Sequence, residues 1–537
     1  MPWRVMVKSG KKKGVVASGH ELTSRAGISI LEKGGNAFDA AVAASAAAFV
    51  TEPCLTSPGG GGFLMAHTKS GETLLYDFFT SVPGLGLPDG TKPGSFTPVD
   101  IDFTETVQRI FIGEGSAAVP GIPAGLDLVY KNHCTLPLQT LLEPAVKYAS
   151  EGVKLNFHQA LFLKLLAPVM EATPEGQAFS SPNGELLKEG EVIKNKPLAN
   201  CLLSLGSIGF DSFYTGEVAD KLLSRFGTPN GLITEADLVG YKVLARAPLK
   251  VDYRGRGIYT NPPPSSGGSL IAFALRLTES FDLSKIKRDS SEYVDFLFEL
   301  MRVVDEARST EFDHAVNDRD LVESFFSDDN VNAFIEKLKN KTDTDFSKST
   351  FKDGVMGNTT HISVLDEDGQ AASVTTSLGF GSGHMIPGTG IMMNNMLGEE
   401  DLNPHGFHAQ SAGMRMSSMM APTIVMKGET PEIVLGSGGS MRIRSAILQV
   451  ILNIIDFKME ITRAVDAPRF HWDGLVFQAE QELDLTLKLI KEKNIDVNVW
   501  GKLHVYFGGL HAAQNNFDGT FSGAGDPRRS GRAIITT

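Results

Sequence analysis

The apolar and polar positions of the chain predict helices and strands interleaved along its whole length, with no internal repeat. In residues 22–50, Leu22, Ala26 and Ile30 share a helical face, and Gly34-Gly35-Asn36 interrupts the pattern, which predicts one or two helices. Four glycines, 59–62, lead into a strand beginning at Phe63, and 72–79 read as another strand. A Pro/Gly-rich connection spans 80–98, and VPGIPAG at 119–125 is a second such loop, leading into a helix over 125–130. From 137 to 248 the pattern is mainly helical. A loop then precedes a helix within 261–277, and Val294, Leu297, Phe298, Leu300, Met301 and Val304 predict a strong helix over 290–307. Residues 326–352 are rich in Lys, Asp, Ser and Thr, a composition that predicts an exposed, mobile segment. Ile362 and Val364 alternate with Ser363 and Leu365, DEDG at 366–369 is a turn, and 371–378 favour extended structure. The two runs form a hairpin with Thr359 at its head. Further strands are expected in 391–395, 419–426 and 432–436, and helices over 442–456 and 482–492. The end, GAGDPRRSGRAI, reads as loop.

Composition narrows the class. The chain has 537 residues, 42% of them apolar, including 32 Phe, enough for a large core. A net charge of -13 without a basic block argues against a nucleic-acid partner. Cys54, Cys134 and Cys201 have no metal-site spacing and are too few for a disulfide framework, so a reducing compartment fits. The start, MPWRVMVKSGKKKG, lacks a signal-type apolar run, and AFDAAVAASAAAFV is too short and too weakly apolar to span a membrane. A cytoplasmic protein without a membrane association is the expectation.

The chemistry concentrates at GNTTH, residues 357–361. A polar segment running straight into a strand is a place for a precursor to be cut. Cutting between Asn358 and Thr359 would create an amino-terminal threonine, whose hydroxyl attacks while its own α-amine takes the proton. A free α-amine has a reference pKa of about 8, close enough to neutrality to act as a base. The pattern by itself does not single out this chemistry: Thr-Thr is common at strand starts, and Asn358-Thr359-Thr360 also matches a glycosylation acceptor.

The motifs TTHISVLDEDG (359–369), FGSG (380–383), GTGIMMNN (388–395), SSMMAPTIV (417–425) and GSGG (436–439) together resemble the γ-glutamyltranspeptidase family of N-terminal-nucleophile hydrolases. GGNAFDAAVAA (34–44), PGGGGF (58–63), VPGIPAG (119–125) and GAGDPR (523–528) extend the resemblance over nearly the full length, with DEARSTEF (305–312) a looser match. The resemblance implies an α+β fold, a four-layer αββα sandwich, and a precursor that cuts itself. Here the implied pieces are a large subunit, 1–358, and a small one, 359–537, forming one intertwined unit; a homodimer of processed units is compatible with it. It implies Thr359 as nucleophile, and Ser377 as the hydroxyl beside the new α-amine. Ser417 and Ser418 match the serine pair that touches the substrate's carboxylate end, although alone they would read as a cap or turn. The oxyanion is met by backbone N–H groups of GSGGSMRI, either Gly439 and Ser440 or Gly438 and Gly439. Thr360 and His361 support the strand, and His361 is set aside as a base because adjacent strand residues point to opposite sides. No metal or organic cofactor is implied.

The substrate pocket departs from the family. Phe79 stands where an arginine clamps the γ-glutamyl carboxylate, a bidentate partner that no aromatic replaces. Met396 replaces a glutamine, the segment around Gly379 is two residues short and lacks the amine-binding asparagine, and Glu399 takes the place of an aspartate. Arg415, two residues before Ser417, is a candidate replacement clamp. The interval from Glu399 to Ser417 is short, which predicts the loss of a lid and favours water as acceptor. Three functions follow as expectations: an autoprocessing amide hydrolase acting on a small-molecule amide, a true γ-glutamyltransferase acting on glutathione, and a ligand-binding relative without activity.

Overall fold

The computed structural model describes residues 12–102, 107–316, 318–340, 358–481 and 492–536. Two antiparallel sheets lie face to face. The first has seven strands in the order Arg532–Ile535, Gly14–Ser18, Thr359–Asp366, Ala371–Ser377, Gly61–His67, Thr73–Phe78, Leu244–Arg246. The second has six: Phe521–Ala524, Gly509–Asn515, Thr430–Gly438, Thr423–Lys427, Arg256–Thr260, Leu249–Tyr253. Helices Glu21–Glu32, Ala37–Thr51, Leu138–Glu151 and Lys196–Ile208 form one outer layer; Ser266–Glu279, Ser291–Ala307 and Arg442–Ile455 belong to the other. This is the four-layer αββα sandwich. Both sheets interleave strands from before and after Asn358.

Side-chain alternation along the hairpin explains the layering. Ile362, Val364 and Val374 pack into the first helical layer, whereas Ser363 and Ser373 bond to the backbone of His511 and Leu435 in the second sheet. Helix Ala37–Thr51 is buried at every position, as a mostly alanine helix between other elements must be. Asn36 and Asp39 close its start as a reciprocal capping box. Among the described residues no helix is long and apolar enough to cross a membrane.

Three expectations change. Residues 328–340, expected to be exposed and mobile, form helix Asp328–Asn340, whose Val331, Phe334, Ile335 and Leu338 are buried, with Phe334 edge-on to Phe273 at 5.5 Å. The lysines and aspartates that dominate the composition cover only its outer face. Residues 341–357 and most of the helix expected at 482–492 lie outside the described residues. The tail expected to be loop contributes the edge strand Arg532–Ile535, paired with Gly14–Ser18. Finally, the helical region ends in the short strand Leu244–Arg246, bonded to Thr73–Phe78.

Candidate active site

Thr359 opens its strand directly opposite Ser377. Both line a cleft with Phe79, Asn358, Gly379, Met396, Glu399, Asp401, Leu402, Ser418, Met419, Met420, Ser440 and Ile443. The Ser377 hydroxyl donates to the Asn358 carbonyl oxygen at 2.5 Å while accepting from the Gly379 N–H at 2.9 Å. A donor on that carbonyl polarises the bond that the Thr359 hydroxyl would attack. Ser377→Ala is therefore expected to slow self-cleavage and turnover by about 10- to 100-fold with little change in Tm, and Ser377→Thr to retain most of both. Unchanged kcat in fully processed Ser377→Ala would remove Ser377 from the site.

The strand Thr430–Gly438 ends beside Thr359 and turns through two residues of positive φ, Gly439 at 128° and Ser440 at 49°. Ser440 also donates its hydroxyl to Asp401 Oδ2 at 2.9 Å, fixing the turn against the cleft wall. Arg529, itself buried, donates Nη1 to the Thr359 carbonyl at 2.8 Å. Burial and neighbouring arginines pull its pKa down to about 10.

His361 is excluded for a different reason from the one expected. Thr359 and His361, two residues apart, share a strand face, so alternation does not separate them. The imidazole lies two pairs further along, fully buried, with Nδ1 on Thr375 Oγ1 at 2.8 Å and Nε2 on Ser363 Oγ at 2.9 Å. Burial holds its pKa well below the usual range, and both nitrogens are committed.

Ser418 lies in the cleft, but Ser417 does not: it is exposed and donates to Pro264 O at 2.7 Å. Ser418 Oγ accepts from Met420 N at 3.1 Å, and its carbonyl accepts from Ser265 Oγ at 2.6 Å. Phe79 is buried and stacked on Phe63 at 5.6 Å. Arg415 does not line the cleft. Its guanidinium stacks over Tyr241 at 4.7 Å, donates to the Phe79 and Lys242 carbonyls, and places Nε 3.5 Å from Asp77. Asp77, which also meets Arg246 at 2.9 Å, holds it on the far side of Phe79.

Glu399 is the unbalanced group. It is buried in the cleft, and its Oε1 has no hydrogen-bond partner among the described residues; the same is true of the Asn358 side-chain amide. Desolvation, with Asp401 nearby, raises the Glu399 carboxyl well above 4.5. The folded chain thus keeps a proton that the unfolded chain releases above about pH 4.5. Stability contributed at this position is full at low pH and falls as pH rises through the folded pKa, by at most about 1.4 kcal/mol per pH unit. Glu399→Gln is expected to remove that slope and to be more stable than the parent in alkaline urea titrations; parallel pH profiles would contradict it.

Asp401, Leu402, Met419, Met420 and Ile443 were not foreseen as lining residues, nor was Arg529 as a partner of Thr359. Met419 and Met420 lie inside the SSMMAP motif, and Arg529 directly follows GAGDPR, so position within motifs was the available signal. Asn394 shows what another motif does: its side chain donates to Gly59 O at 2.7 Å and Ala118 O at 2.9 Å, tying the first Gly-rich loop to the residue before the second.

The chain matches the family described as Gamma-glutamyltranspeptidase over residues 23–536. It is 32% identical to an Escherichia coli glutathione hydrolase proenzyme, covering 96% of this chain and 90% of the relative. It is 30% identical to the acylase ACY 1 proenzyme of a Pseudomonas species, covering 97% and 93%. Among solved structures, the cephalosporin acylase from Bacillus halodurans superimposes with a TM-score of 0.81 at 25% identity, covering 99% of this chain and 97% of that one. The Helicobacter pylori γ-glutamyltranspeptidase gives 0.55 at 29% identity, over 66% and 97%. With the sandwich, the threonine at the head of its central hairpin and this match over almost every residue, the chain belongs to the γ-glutamyltranspeptidase family of N-terminal-nucleophile hydrolases.

Proposed function

We propose that the protein is an autoprocessing amide hydrolase whose acyl group is apolar or uncharged where a γ-glutamyl substrate carries its α-carboxylate. Cleavage between Asn358 and Thr359 frees the α-amine of Thr359. The amine takes the hydroxyl proton as Oγ attacks the substrate carbonyl. The N–H groups of Gly439 and Ser440 meet the oxyanion; the positive-φ turn at the strand end favours this pair over Gly438 and Gly439. Collapse breaks the C–N bond, the amine leaves with the proton, and an ester remains on Thr359. Water, activated by the same α-amine, hydrolyses it and regenerates the hydroxyl.

The observation that carries the specificity is the wall formed by Phe79, Met396, Met419 and Met420, with Arg415 held behind it. A carboxylate placed there would shed water without gaining a guanidinium. Acid-quenched intact-mass analysis of the 359–537 fragment during turnover of an acyl anilide should show one acyl group added. Turnover without such an adduct, under conditions where deacylation is the slower step, would contradict the acyl-enzyme route.

A γ-glutamyltransferase acting on glutathione is the second reading. The unpartnered Glu399 Oε1 favours it, because an ammonium would complete that site. A cytoplasmic location, a soluble small-molecule substrate and a single intertwined pair of subunits accompany both readings.

A further inference from the structure

The back of the nucleophile strand carries its own polar construction. Thr360, on the opposite face from Thr359, donates Oγ1 to Glu52 Oε2 at 2.7 Å. Glu52 follows directly on helix Ala37–Thr51, and its Oε1 lies 3.4 Å from Thr23 Oγ1, which meets Thr51 Oγ1 at 2.7 Å. Four residues later, Thr56 Oγ1 meets Thr376 Oγ1 at 2.9 Å. Thr360 and Thr376 are directly paired across the hairpin, one residue inward from Thr359 and Ser377. The segment Glu52–Thr56 thus pins both strands from behind at the level of the reacting pair.

Glu52 is an expensive way to make such a pin. It is buried, and desolvation raises its pKa to about 7. The surrounding backbone is shaped for it: a Cβ on Gly19 would lie 2.2 Å from Glu52 Oε2. Arg529, which lines the same cavity as Glu52, holds the Thr359 carbonyl. The first residue of a strand that becomes a chain terminus frays unless it is tied down. Here the ties come from Glu52 on Thr360 and Arg529 on the Thr359 carbonyl.

We propose that Glu52 is a positioning residue for Thr359 and Ser377, acting through the Thr360 hydroxyl. This rests on Thr359 being the nucleophile. A displacement of about 1 Å at reacting atoms can cost about 100-fold in rate, so a lost tie shows in kcat before it shows in stability.

The test compares fully processed Thr360→Val, Glu52→Gln and Glu52→Ala with the parent. Thr360→Val keeps volume and removes the hydroxyl. It is expected to lower kcat by about tenfold or more, with KM within about twofold and Tm nearly unchanged. Glu52→Gln keeps an acceptor oxygen for Thr360 and should retain most of kcat, whereas Glu52→Ala should match Thr360→Val. The double variant Thr360→Val/Glu52→Ala should be no slower than either single one, because both cut the same link. If Glu52→Ala does not fold, Thr360→Val and Thr360→Ser decide, the serine restoring kcat. Slowed self-cleavage at unchanged Tm supports the proposal equally, since it uses the same hydroxyl. Parent-like kcat in Thr360→Val, or additive losses in the double variant, would overturn it. Thr359→Ala is the control: activity there would sink the nucleophile assignment itself, whereas an inactive Thr359→Ala beside a parent-like Thr360→Val sinks only the role of Glu52.

Discussion

Thr359→Ala is expected to yield a single uncut chain with turnover reduced about a thousandfold or more. The hydroxyl is the only group proposed to form the ester in either reaction, and removing a nucleophile commonly costs that much. Ser377 would still donate to the Asn358 carbonyl, but no oxygen would stand beside it to attack. The fold should survive, because Thr359 is held through its backbone by the strand ladder and Arg529. Intact mass would show one chain for the variant and two pieces, divided after Asn358, for the parent. An uncut parent with full activity would defeat the processing scheme outright.

The second large effect concerns substrate choice. For two anilides that differ only in the α-carboxylate, the compound lacking it is expected to have the higher kcat/KM by about tenfold or more. That ratio is about 1.4 kcal/mol of transition-state binding. The reason is one of replacement: Phe79 presents an aromatic face stacked on Phe63, and Met396 adds a buried thioether where the family has an amide. Arg415 would need to leave Tyr241, two backbone carbonyls and Asp77 to reach the substrate. A tenfold preference for the γ-glutamyl compound would reverse the assignment. Arg415→Ala would then distinguish a relocated clamp, which loses that preference, from recognition through Glu399, which keeps it.

The parts of this site legible in the sequence were those carried by short contiguous motifs. Thr359, Ser377, Phe79, Met396, Glu399, Ser418 and Ser440 all line the cleft, whereas Gly439, which precedes Ser440 in the turn, is not among its lining residues. Ser417 shares a motif with Ser418 but lies outside the cleft, because neighbours in an extended segment face different ways and a motif match does not say which one turns inward. Glu52 and Arg529 were missed for another reason. They reach the strand of Thr359 across 308 and 170 residues of chain; nothing local marks a glutamate after a helix as belonging there, and Arg529 had only its place directly after GAGDPR to mark it. The helix at 328–340 was a different kind of miss. Val331, Phe334, Ile335 and Leu338 have helical spacing, but the charged residues between them dominated the composition. Composition averages over faces; periodicity separates them.

The interleaving of both sheets also bears on reaction order. Before cleavage, the strand that begins at Thr359 joins Gly14–Ser18 as part of one molecule, whatever the concentration. With the proposed cut after Asn358, the same pairing joins two polypeptides, and regaining it after denaturation becomes a bimolecular event. Refolding of Thr359→Ala precursor should therefore be independent of dilution, while renaturation of the cut parent should slow in proportion to it and lose yield. Equal recovery of both at nanomolar concentration would show that the pieces never come apart. On this account the cut makes folding a one-time event, and the lifetime of the mature protein is set by how slowly it opens.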